Sequence, residues 1–176
     1  MEDKKDQIIY AKFENGLEVQ FKEYADLCNL EFQDKIPWFV DIEKFSSKSY
    51  SVLCLKGSSK RLVGGITVFL KSPETKEINE IVEQFGGKKV FMSLLISKKE
   101  SDLYLPLLVF LKGLMREIFN ENSEIEIIWG VVETKNIKLL NVYKNKLDAE
   151  IIDIPMNKDI KIVFVKNKDR LQVLKK

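Results

Sequence analysis

The order in which strand and helix patterns follow one another constrains this chain more than any single motif. "QIIYAKF" (residues 7–13) reads as a short first strand, and the turn signal Asn15-Gly16 ends it. In "LEVQFKEYADLCNLEF" the apolar positions Leu17, Phe21, Tyr24, Leu27, Cys28 and Phe32 recur at helical spacing. "DKIPWFVDIEKFSSKS" (34–49) is irregular, broken by Pro37, with Trp38 and Phe39 directly after it. "YSVLCLKG" and "RLVGGITVFLK" flank the turn "GSSK" and form a hairpin. Gly64-Gly65 inside its second strand predicts either a bulge or a close approach to the backbone.

"SPETKEINEIVEQFGG" starts as a capped helix and stops at Gly86-Gly87. "KKVFMSLLIS" (88–97) is a strongly apolar strand. Residues 102–119 read as a helix that is apolar almost all round in its first half, so it is expected to be buried. "EIEIIWGVVE" (124–133) is a further strand. A helix follows, with Ile137, Leu140, Tyr143 and Leu147 along one side, and "AEIIDIP" and "KIVFVK" close the chain as strands. Helices alternate with strands in the middle and two consecutive strands lie on each flank, so the sheet is mixed. There is no internal repeat, and 176 residues suit one domain with a substantial core.

Composition removes several chemistries. The chain has no histidine, the commonest general base and metal ligand, so Ser-His and Cys-His mechanisms are out. Cys28 and Cys54 are too few for a zinc site and read as reduced thiols, and no carboxylate cluster has the spacing of a cation loop, so no metal is expected. A net charge of +2 argues against a nucleic-acid binder. "MEDKKDQ" lacks the apolar run of a signal peptide, and "LYLPLLVFL" (103–111) is far short of the roughly 20 residues that span a bilayer, so the expected location is cytoplasmic with no membrane partner.

The stretch "NIKLLNVYKNKLD" (136–148) and the hairpin "YSVLCLKGSSKRLVGGITVFL" carry a family resemblance. Asn136, Val142 and Tyr143 fall on matching positions of N-x-x-A-x-x-L-Y-x-K-x-G-F, with the Asn-to-Tyr spacing intact, and Val63-Gly64 stands where the hairpin's second strand often has a glycine. Over roughly residues 50 to 165 the chain resembles the GNAT-type acyl-CoA N-acyltransferases. The resemblance implies a single α/β (α+β) domain over 1–176. Its sheet would be mixed and mostly antiparallel, with a splayed parallel pair at the centre (89–97 and 124–133) and helices on both faces.

The resemblance also implies function. Acetyl-CoA or another acyl-CoA would lie in the splay, against the backbone of Leu94, Leu95 and Ile96, with Asn136 bonding the pantetheine arm. Tyr143 would protonate the departing thiolate, Glu133 at its strand end is the candidate base, and the segment around Trp38 and Phe39 would line the acceptor side. The acceptor would be a small-molecule or peptide amine, and a homodimer is the candidate assembly.

Two departures stand out: Leu147-Asp148 replaces the motif's closing G-F, and the phosphate loop lacks its glycines. In place of R/Q-x-x-G-x-G/A the chain has "SKKESDLYLP" (97–106), with Glu100, Asp102 and the N–H-less Pro106. Either the loop still holds a phosphate, with Lys98, Lys99 or Ser101 assisting, or it has lost the nucleotide and Ser101 or Asp102 is a helix cap. The second alternative makes the chain a catalytically inactive binding or assembly domain of the same fold.

Overall fold

A computed structural model describes residues 7–36, 38–39 and 49–167. Pro37, most of the irregular segment after Asp34 and the Lys-rich tail lie outside them. The elements follow the expected order: β1 (Ile8–Lys12), α1 (Glu18–Phe32), β2 (Ser49–Lys56), β3 (Arg61–Phe69), α2 (Lys76–Glu83), β4 (Lys89–Ser97), α3 (Leu107–Glu121), β5 (Ile127–Glu133), α4 (Ile137–Lys146), β6 (Glu150–Ile154) and β7 (Asn157–Lys166). They build one seven-stranded sheet in the order β1-β2-β3-β4-β5-β7-β6. Every neighbouring pair is antiparallel except β4–β5.

Strand alternation sorts the core into two layers. Val52, Cys54, Val90, Met92, Ile128, Val163 and Val165 pack with α3 and α4 on one face. Leu53, Leu55, Phe91, Trp129, Ile162 and Phe164 pack with α1 and α2 on the other. Both cysteines are buried free thiols. The near-continuous apolar character of α3 is explained by its burial: Phe110, Leu111, Leu114, Met115 and Ile118 are all at most 2% exposed.

One boundary differs from the sequence reading. The helix expected from Asp102 begins at Leu107, and Ser101–Leu103 instead forms a short 3-10 turn. Pro106 is the physical reason. Its ring excludes Leu105 from the helical region, so the chain leaves the turn extended and the helix starts only after the proline. Thr75 is the cap expected of α2, its side chain accepting from the Ile78 N–H at 3.5 Å.

Gly64 combines both readings of the glycine pair. The β2–β3 register shifts beside it, between Cys54 and Leu55. A Cβ at Gly64 would also stand 2.2 Å from the Ile96 carbonyl oxygen and 2.8 Å from the Ser97 Cα. Only glycine lets β3 come this close to the far half of β4.

Candidate active site

The parallel pair parts partway along its length. β4 and β5 pair at Lys89↔Ile127, Val90↔Ile128 and Phe91↔Trp129. From there Met92–Ser97 stays with β3, and Gly130–Glu133 stays with β7. A bulge redirects β4 at this point: its register against β3 shifts opposite Gly65 and Thr67, and Leu94 takes the left-handed φ of 55°. Leucine rarely adopts that conformation without support.

The support comes from α1. The Tyr24 hydroxyl donates to the Leu94 carbonyl at 2.8 Å and lies 3.0 Å from Thr67 Oγ1, which is 3.1 Å from Ser51 Oγ. All four residues are buried. Burial raises the Tyr24 phenol well above its ordinary value, so it remains a proton-bearing donor.

Of the three backbone positions expected to meet the cofactor arm, the structure distinguishes one. The Leu94 carbonyl is taken by Tyr24. The Lys98 N–H donates to the Val63 carbonyl at 2.8 Å. By strand alternation, Ile96 then also turns its polar groups toward β3, consistent with its carbonyl's closeness to Gly64. By the same alternation the Leu95 carbonyl, and beyond it the polar groups of Ser97, turn toward the open side of β4.

Tyr143 reaches the closed end of this splay from the α3/α4 face. Its hydroxyl donates to Met92 Sδ at 4.0 Å, and Met92 is the first β4 residue beyond the last parallel pair. Gly130 makes the room. A Cβ there would lie 2.8 Å from the Met92 carbonyl oxygen and 3.2 Å from its Cγ. Tyr143 is 2% exposed, and desolvation raises its phenol well above the ordinary value. The ring is packed in the core, and its hydroxyl meets the buried Met92 side chain, one residue past the last parallel pair.

The loop after β4 binds its own charges. Arg61, at the start of β3, contacts Asp102 at 2.5 Å and Glu100 at 3.2 Å. Lys98 contacts Glu100 at 2.6 Å and Glu23 at 2.7 Å. The Arg61 hydrogen bond holds the Asp102 carboxyl below the usual range. Several amides are also occupied, Leu103 N–H by Glu100 and Tyr104 N–H by Ser101. What remains open is the helix start itself. The N–H groups of Leu107, Leu108 and Val109 have no intrahelical partner. Ser101 and Lys99 are exposed, and Ser101 opens the 3-10 turn without capping α3. A concavity of about 320 Å³ lies on the β2–β3 turn side of this loop, lined by Lys56, Ser58, Ser59, Arg61 and Asp102. It is separate from the splay.

Asn136 caps α4, its side-chain oxygen accepting from the Leu139 N–H at 3.3 Å, while its side-chain NH₂ is left to donate elsewhere. Glu133 ends β5 with an exposed side chain paired to Lys135 at 3.3 Å. Three contributors escaped the sequence reading. Tyr24 and Met92 carried the signature of ordinary core, and only the rule that a buried hydroxyl needs a partner singles out Tyr24. Arg61 was a strand-opening cation whose partners lie about forty residues on. Among the described residues no group of three His, Cys, Asp or Glu could hold a metal ion, and no helix is long and apolar enough to cross a membrane.

No protein-family model and no curated protein matches the sequence. Solved structures do match the fold. NAA60 of Arabidopsis thaliana, crystallised in complex with acetyl-CoA, is 14% identical with a TM-score of 0.57, over 92% of this chain and 99% of that one. The N-acetyltransferase PseH of Campylobacter jejuni is 15% identical with a TM-score of 0.54, over 92% and 99%. The acyl-homoserine lactone synthase LasI is 11% identical with a TM-score of 0.63, over 96% and 94%. The chain has the fold of these GNAT structures, at 11–15% sequence identity to them.

Proposed function

We propose that this chain transfers an acyl group from acyl-coenzyme A to an amine. The observation that carries the reading is the three-residue parallel pairing of β4 with β5, after which both strands run on with an open flank between them. That flank suits an extended amide-bearing arm. Leu95 and Ser97 offer strand-like backbone groups there, and Asn136, three residues past the end of β5, would reach toward it with its amide NH₂. The open N–H groups at the start of α3 favour an anion, in place of the glycine cradle the loop lacks. The bound coenzyme supplies the activated thioester.

In this reading Tyr143 donates its hydroxyl hydrogen to sulfur as negative charge develops there, a contact it already makes to the Met92 thioether. Met92 must yield that position, which an unbranched, flexible thioether does at low cost. Glu133, solvated and paired with Lys135, would take a proton from the amine through water.

A second reading, a binding or assembly domain without catalysis, draws on the loop's self-neutralised charges and occupied amides. Calorimetry with acetyl-CoA and longer acyl-CoAs separates the two. The transferase reading expects saturable binding in the micromolar to millimolar range, on the order of −4 to −8 kcal/mol. Absence of binding at millimolar ligand would overturn it and leave the assembly reading.

A further inference from the structure

We propose that Glu74 and Trp38 form a receptor for an organic ammonium group with an apolar body, placed on the α1/α2 face against the closed end of the β4–β5 splay. This rests on the acyl-transfer reading for its role, since it makes such a monocation the acceptor, and on geometry of its own for its existence.

Glu74 lies on the connection between β3 and α2, and that connection holds it firmly. Its N–H donates to Ser72 Oγ at 3.1 Å, and its carbonyl accepts from Asn79 Nδ2 at 2.8 Å. Its carboxylate is half-buried and has one partner, the neutral indole N–H of Trp38 at 3.1 Å. No cation pairs with it among the described residues. Acidic side chains elsewhere on the surface, Glu23, Glu100, Asp102, Glu121 and Asp153 among them, each meet a lysine or arginine. A carboxylate taken out of water, braced at its backbone and left without a counter-charge is a costly arrangement that a cationic ligand would relieve. Burial also holds its carboxyl above the usual range, with the Trp38 hydrogen bond pulling the other way.

The surroundings specify the kind of cation. Trp38 stands edge-on to Phe69 and Phe91, with ring centroids 5.5 and 6.1 Å away, and Phe91 continues to Trp129 at 4.6 Å. An aromatic row thus runs from beside Glu74 to Phe91↔Trp129, the last parallel pair before the strands part. Phe69, Phe91 and Trp129 are buried and back the partly exposed Trp38, and an indole next to a lone carboxylate favours an ammonium carrying hydrocarbon over a strongly hydrated inorganic ion. Tyr143 approaches the same strand position from the opposite face. Trp38 and Tyr143 thus meet the adjacent β4 residues Phe91 and Met92 from opposite faces of the sheet.

The test uses the intact chain without any acyl-CoA, so its outcome is independent of the donor calorimetry above. The chain has two tryptophans, so the indole N–H signals of Trp38 and Trp129 can be followed by NMR and assigned with Trp38→Phe. Benzylamine and its neutral analogue benzyl alcohol are titrated in turn. We expect benzylamine to shift the Trp38 signal saturably and to bind at least about tenfold more tightly than benzyl alcohol. Glu74→Gln keeps an oxygen to accept from Trp38 and should lose at least about tenfold of the benzylamine affinity. Equal binding of amine and alcohol, or no saturation by benzylamine, overturns the proposal. So does a folded Glu74→Gln variant that binds benzylamine as the parent does. Should that variant fail to fold, the amine–alcohol comparison on the parent chain still decides. If benzylamine binds but acyl-CoA does not, the receptor stands and its role as an acceptor site falls.

Discussion

Tyr143→Phe is expected to lower acyl-transfer turnover about a hundredfold while leaving donor affinity within about twofold, the share of catalysis typical of one positioned acid. The asymmetry follows from geometry. The ring, which packs with Val132 and Leu147 in the α3/α4 layer, is kept by phenylalanine. Only the oxygen is lost, and among the described residues its hydrogen bond is a long one to Met92 Sδ. Stability should therefore change by less than about 1 kcal/mol. Steady-state kinetics beside a urea denaturation curve checks both halves. An unchanged turnover would remove Tyr143 from the chemistry, and a large stability loss would make it a core residue alone. Because burial raises the phenol well above its ordinary value, it carries its proton through the neutral range, and no loss of activity near neutral pH should trace to its ionisation.

Gly64→Ala should cost about 1–3 kcal/mol, through a mechanism that also reaches the cleft. The added methyl would meet the Ile96 carbonyl oxygen and the Ser97 Cα, both main chain, with the Phe110 ring 2.9 Å away. A flexible side chain could swing aside, but a strand in register cannot. The relief available is to push the far half of β4 away from β3, across the open flank. Urea midpoints should fall, and donor affinity should fall with them even in variant protein that remains folded. A substitution with normal stability and normal donor binding would show that the strands can separate here without consequence.

The element order was legible because it rests on local signals: period-two runs, helical spacing, and turns such as Gly57–Lys60. The start of α3 was misplaced because Leu103 and Leu105 extend the apolar pattern across Pro106. The restriction that proline puts on its predecessor was the stronger signal. The splay could be anticipated only through a family likeness. Nothing in "MSLLIS" announces a left-handed leucine, since a hydroxyl seventy residues earlier stabilises it. The same holds for the loop. Its acidic residues were visible, but Arg61, which neutralises two of them, belongs to a different hairpin and arrives only through the fold. Glu74 was passed over for a related reason. A lone carboxylate at a helix entrance is ordinary in sequence, and it becomes unusual only when its neighbours prove to be aromatic.

The short parallel contact has a consequence for how the molecule breathes. β1 to β4 form one antiparallel ladder, β5 to β7 another, and three residue pairs zip them together, with α3 packed on β1 to β3 and touching α4. Cooperative opening units tend to follow such divisions. Amide exchange should report two blocks, with Met92–Ser97 and Gly130–Glu133 opening before the rest of their own ladders. Anything that lays hydrogen-bonding groups along the open flank adds rungs to that zip. It would slow exchange across both blocks, far from the atoms it touches.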